Sequence, residues 1–135
     1  MRIMALDYGE QRIGIAMTDL LKIIAKPYDI YHRKHTEEDF DYFLNVIKQE
    51  QVDTIVVGLP LNMQGEEQEI AIKVRAFAEE LKKRSNCKLI YLDERMTSVI
   101  AENILKQTEK DWKKRKSQLD KYAAMVILQD YLDSL

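Results

Sequence analysis

Three residues, Gly9, Glu10 and Gln11, are all that separate two apolar runs, Arg2–Tyr8 (RIMALDY) and Arg12–Thr18 (RIGIAMT). Strands joined by so short a link pair as an antiparallel hairpin, since a parallel pair needs a crossover of about a dozen residues. A third strand falls within Ile23–Tyr31, where Pro27 withholds a ladder donor and so argues for an edge position. After Thr36 the apolar period lengthens from two to about 3.6, with Phe40, Phe43, Leu44 and Ile47 on one helical face. Thr36 and Asp39 resemble a capping box at the start of that helix. Thr54–Gly58 is a short β-branched run of the kind that is covered on both faces. A long helix is predicted from about Glu66 to Arg84, burying Ile70, Val74, Phe77, Ala78 and Leu81, and Lys88–Asp93 is the last strand. Thr97 is expected to cap a helix carrying Ile100, Ile104 and Leu105. A final helix carries Leu119, Tyr122, Ala123, Val126 and Ile127. A hairpin followed by strand–helix–strand units is an α/β protein, with a five-stranded mixed sheet covered by helices and one domain spanning residues 1–135.

Composition narrows the function. With 46% hydrophobic residues in 135, the chain can build a real core, and its net charge of −2 excludes a uniformly basic nucleic-acid binder. The single cysteine, Cys87, excludes an internal disulfide and a Cys-based zinc site. His32 and His35 have no partners at metal-ligand spacing. No stretch is long and apolar enough to span a membrane, so a soluble, cytoplasmic protein is expected.

The chemistry rests on acids. Ile3, Ala5 and Asp7 share one face of the first strand, and a carboxylate at the end of a covered strand is costly unless a cation or donors satisfy it. Gly14 and Ala16 on the neighbouring strand are small enough to leave room for a ligand. Asp93 and Glu94 end the last strand, and Asp120 borders the apolar stripe of the final helix beside Ala123 and Ala124. Each acid alone also has an ordinary structural reading: Asp7 as a turn former, Asp93 and Glu94 as complements to a helix dipole, Asp120 as a surface partner of Lys116 or Lys121. Together, two strand ends and a late helix offer the hard oxygen ligands of a two-magnesium site that hydrolyses phosphodiesters.

Two further features suit a polyanion. Gly58–Gly65 (GLPLNMQG) is a loop whose backbone amides could hold phosphate, although Glu66, Glu67 and Glu69 oppose an anion at the following helix end. Lys106–Lys121 holds seven basic and three acidic residues, a local charge of +4. Trp112 lies within it and could stack on a base.

Leu6-Asp-Tyr-Gly9 with Arg12-Ile-Gly-Ile-Ala16, Val57-Gly-Leu-Pro-Leu-Asn62 with Gly65, Asp93-Glu-Arg-Met-Thr97, and Asp120 with Ala123–Gln129 occur in this order along the whole chain. In that combination the chain resembles the YqgF family of Holliday junction resolvases, also described as pre-16S rRNA nucleases. The resemblance implies a ribonuclease H-like fold and a carboxylate site for Mg2+ or Mn2+, built from Asp7, Glu94 and Asp120, with Asp93 a rival to Glu94. It also implies nucleic-acid contacts from Arg12, Asn62, Arg95 and Thr97, to which the basic run adds Lys113, Lys114, Arg115 and Lys116. Gln64 stands where relatives often have Asp, and Ser98 replaces the second residue of a common Thr-Thr pair. No fourth acid follows Asp120 on the same face before Asp130. The expected function is metal-dependent trimming of the 5′ end of precursor 16S rRNA. The alternatives are cleavage of branched DNA or a non-catalytic nucleic-acid-binding module. The chain would act as a monomer or homodimer.

Overall fold

A computed structural model describes residues 1–94 and 97–135. Arg95 and Met96, the former expected to contact nucleic acid, lie outside the described residues. The elements run β1 (Arg2–Tyr8), β2 (Arg12–Thr18), β3 (Ala25–His32), α1 (Glu37–Glu50), β4 (Val52–Leu59), α2 (Glu69–Ser85), β5 (Lys88–Asp93), α3 (Thr97–Thr108) and α4 (Trp112–Asp133).

All five strands form one sheet in the order β3-β2-β1-β4-β5. The hairpin pairs β1 with β2 antiparallel, and β3 extends it antiparallel as an edge strand. The β1–β4 and β4–β5 pairs are parallel. Pro27 faces Ala16 where the β2–β3 register shifts, so the missing donor coincides with an irregularity in the ladder.

Alternation along each strand sorts the core into two layers. Met4, Leu6, Ile13, Ile15, Ile55 and Val57 pack with Phe43, Ile47, Val74, Phe77 and Leu81 of α1 and α2. On the opposite face, Ile3, Ala5, Ala16 and Val56 meet Ala124, Ile127 and Leu128 of α4. Helix α3 leans on α4 through Ala101, Ala123 and Val126. On the second face Ala5, Ala16 and Ala124 put little bulk between sheet and helix, so α4 sits close against the sheet. Among the described residues no helix is long and apolar enough to cross a membrane.

Four local expectations change. Helix α2 begins at Glu69 rather than Glu66, because residues 61–67 close a turn of their own, with Leu61 bridging to Glu67. Ile100 faces solvent at 44% exposure, while Ala101 and Leu105 take the buried positions of α3. Thr97 is already inside α3 and buried, not ahead of it. Thr36 does cap α1, its hydroxyl accepting from the Glu38 N–H, but Asp39 does not complete a capping box.

Asp39 is instead a buried hub at 1% exposure. It accepts from the N–H groups of Lys34 and His35, from the Tyr31 hydroxyl at 2.8 Å and from Arg33 Nε at 3.1 Å. Burial alone would raise its carboxyl, but these donors hold it below the ordinary range. Because the folded value is depressed, its contribution is present above about pH 4 and is lost as pH falls through the folded value. Asp39→Ala is expected to cost about 3–5 kcal/mol at pH 7, since it leaves the half-buried Arg33 without its anion. Chemical denaturation at pH 7 and pH 3 checks this: the gap between wild type and variant should shrink in acid.

Candidate active site

The close fit of α4 on the sheet creates the site. In the β1–β2 register Asp7 lies opposite Gly14, and both project toward α4. A Cβ at Gly14 would run into the carbonyl oxygen of Asp120. The space beside Gly14, expected from the sequence to admit a ligand, is therefore filled by the α4 backbone, and that approach brings Asp120 down to Asp7. Ala123 and Ala124, one turn on, are fully buried and keep the approach short.

Strand β5 supplies the other acid. Leu89 and Tyr91 face α1 and α2, whereas Ile90 and Leu92 face α4. By the same alternation Asp93 is exposed on the first side, and Glu94 comes to the α4 side with Asp7. Glu94 is accommodated by Gly58 of β4, where a Cβ would strike its carboxyl group and the Ile127 Cδ1. The motif alone does not reveal that Gly58 leaves this space for Glu94. A glycine inside a β-branched strand is the signal that could have revealed it, since it marks close approach by another group.

The carboxyls of Asp7 and Glu94 are neighbours, and both are held well above the ordinary carboxylate range. Burial is the main cause for each. The Asp120 charge also raises Asp7, and the neighbouring Asp7 charge raises Glu94. Glu94 Oε2 is buried and, among the described residues, accepts no hydrogen bond, a costly arrangement without a further partner.

This donor set fits a hard divalent cation: two converging carboxylates, all oxygen, one buried oxygen still lacking a partner among the described residues. Among those residues no three His, Cys, Asp or Glu side chains stand close enough to enclose an ion by themselves. Mg2+ keeps several waters and is commonly held by one or two carboxylates, so the pair meets its requirements. Asp120 is engaged elsewhere, accepting from Arg12 Nε at 2.8 Å in a solvent-facing ion pair.

The remaining expected nucleic-acid contacts divide. Asn62 is spent on its own loop: Oδ1 accepts from the Gln64 and Glu66 N–H groups and its carbonyl from Gly65. Gly65 takes a left-handed φ of 81° to allow this. Those three amides are thus occupied internally rather than offered to phosphate. Thr97 is buried. Lys113, Lys114 and Lys116 are exposed in the first two turns of α4, after the Asp111 cap. Arg115 is anchored to the Glu109 and Lys110 carbonyls at 3.1 and 2.8 Å.

A family model described as RuvX, Holliday junction resolvase, matches residues 1–134. A protein of Endomicrobium trichonymphae named "Putative pre-16S rRNA nuclease" is 44% identical over 133 residues, covering 98% of this chain and 95% of that protein. One of Halothermothrix orenii with the same name is 41% identical over 133 residues, at the same coverage of both chains. Among solved structures, the RuvC of T. thermophilus in complex with a Holliday junction substrate aligns with a TM-score of 0.60 and 12% identity, over 99% of this chain and 95% of that one. The fowlpox virus Holliday junction resolvase aligns with a TM-score of 0.61 and 18% identity over the full length of both. At such identities the structural likeness shows the fold, which is ribonuclease H-like.

Proposed function

Because this chain belongs to the RuvX (YqgF) family, we propose that it is a metal-dependent nuclease that trims the 5′ end of precursor 16S rRNA in the cytoplasm. The observation that carries the metal dependence is the Asp7–Glu94 pair, whose buried Glu94 Oε2 has no hydrogen-bond partner among the described residues. The rRNA substrate follows from the full-length relatives at 41–44% identity.

Asp7 and Glu94 would hold the ion, and Asp120 would join them once Arg12 turns away. The Arg12–Asp120 pair is open to solvent, with 54% and 26% of the two side chains exposed, and such pairs are worth only about 0–1 kcal/mol. A substrate phosphate can therefore take Arg12 at little cost and release Asp120. A divalent ion held there would supply an activated water and stabilise charge on the phosphate oxygens. Water adds to phosphorus, the phosphorus–oxygen bond to one nucleotide breaks, and a phosphomonoester and a hydroxyl result. Lys113, Lys114 and Lys116 neutralise phosphates flanking the cleaved bond.

The test is incubation of the purified protein with precursor 16S rRNA and with a synthetic four-way DNA junction, each with Mg2+, Mn2+ or chelator. Cleavage of the RNA alone, abolished by chelator, supports the reading. The description of the family model favours junction cleavage as the second reading, and cleavage confined to the junction would replace the first. Cleavage that persists in chelator would remove the metal site.

Two variant sets refine the assignment. Glu94→Gln should cut activity by about 10²-fold or more, the scale of one lost electrostatic group, while Asp93→Asn should leave it nearly intact. The reverse order would place the wrong face of β5 in the site. Changing Lys113, Lys114 and Lys116 together to Gln should weaken RNA binding and flatten its salt slope by about 0.7 for each phosphate no longer neutralised, leaving single-turnover cleavage at saturating RNA unchanged. An unaltered salt slope would make these lysines solvated surface.

A further inference from the structure

Trp112 is the chain's single tryptophan, stands at the first position of α4 and is 60% exposed. It walls a groove of 210 Å³ between α3 and α4, together with Glu102, Leu105, Arg115, Lys116 and Leu119. Trp112, Arg115, Lys116 and Leu119 follow one another at helical spacing, so they form one continuous strip. Leu105 is a buried apolar floor at 1% exposure. Arg115 is fixed by its two backbone carbonyls. Glu102, the one acid in the lining, lies 3.8 Å from Lys106 and is offset by it. An aromatic face, an apolar floor and a cationic rim in a segment of charge +4 together match a nucleobase with its phosphate.

We infer that this groove binds an unpaired nucleobase stacked on Trp112, with its phosphate against Lys116. The inference rests on reading the chain as a nuclease and adds a substrate class to it: nucleic acid with an unpaired segment beside the cleaved bond. A base inside a duplex has both faces covered by its neighbours, so it cannot present a face to Trp112 unless it leaves the stack. Eight residues separate Trp112 from Asp120 along α4, about 12 Å of helix. A stacked strand covers that distance in about three to four nucleotides at ~3.4 Å each. The groove thus measures from an unpaired position to the carboxylate site.

Because Trp112 is the sole tryptophan, its fluorescence reports this groove alone. In chelator, a single-stranded RNA oligonucleotide should quench it on binding. The same sequence as a full duplex should bind, by anisotropy of a labelled strand, without quenching. Trp112→Ala should weaken single-strand binding about 5- to 100-fold, the range of one base–aromatic stack, with unchanged circular dichroism, and Trp112→Phe should retain most of the affinity. Unchanged fluorescence at saturating single strand, equal quenching by the duplex, or wild-type affinity in Trp112→Ala would each overturn the inference. Cleavage of precursor rRNA by the same preparation with Mg2+ separates the two readings. If cleavage is intact and Trp112 silent, the groove alone is wrong. A protein that neither binds nor cleaves removes both.

Discussion

Asp7→Asn should abolish hydrolysis and at the same time make the metal-free protein harder to unfold. The loss of activity should reach about 10³-fold or more, beyond the 10²–10³ of a single removed donor, because in the proposed site Asp7 would both hold the cation and sit beside Asp120. The gain in stability follows from the charge it removes. Burial and the Asp120 charge push the Asp7 carboxyl from 3.8 up to about 7. A folded value above the unfolded one means that folding takes up a proton, so this group's contribution declines as pH rises from about 4 through about 7. Asparagine does not titrate, so the advantage of the variant should be near zero at pH 4 and about 1–3 kcal/mol at pH 8. For a chain of this length that is a rise in melting temperature of about 3–10 °C. Thermal melts in chelator at the two pH values read it directly. A variant that remains active, or one whose advantage is larger in acid, would separate Asp7 from the buried acid pair.

Gly58→Ala should produce almost as large a loss of activity by a different route. The added methyl would occupy the place of the Glu94 carboxyl and press on Ile127. A carboxylate on a flexible stem can swing away, so the fold should survive at a cost of about 1–3 kcal/mol, typical of an overpacked core. The site should not survive, because Glu94 would leave Asp7. Three measurements separate this from plain unfolding: near-normal circular dichroism, a lost Mg2+-dependent rise in melting temperature, and activity reduced by about 10²-fold. Wild-type activity would show that Glu94 does not need the space above Gly58.

The order and kind of the elements are legible in the sequence alone. The hydropathy pattern delimits β5 at Lys88–Asp93 and the hairpin at Arg2–Tyr8 and Arg12–Thr18, and Pro27 accounts for the edge position of β3. These are local matters of period, turn length and a missing donor, and such signals lie in contiguous residues. The same alternation puts Asp7 on the correct face of β1. Helix starts are less legible, since the turn closed by Asn62 and the inclusion of the basic run in α4 depend on hydrogen bonds.

What only the tertiary structure decided is how residues far apart in sequence share space. Asp93 and Glu94 are adjacent, and only the pairing of β5 with β4 and the seating of α4 choose between them. In the sequence Gly14 reads as room for a ligand and Gly58 as the start of a loop; only the fold brings the Asp120 carbonyl and the Glu94 carboxyl against them. The Glu94 oxygen that lacks a partner among the described residues and the Arg12 hold on Asp120 are likewise products of packing. A sequence determines which side a side chain leaves its own strand. Which groups meet there depends on the distance at which a helix can approach a sheet, and here two missing methyl groups set that distance.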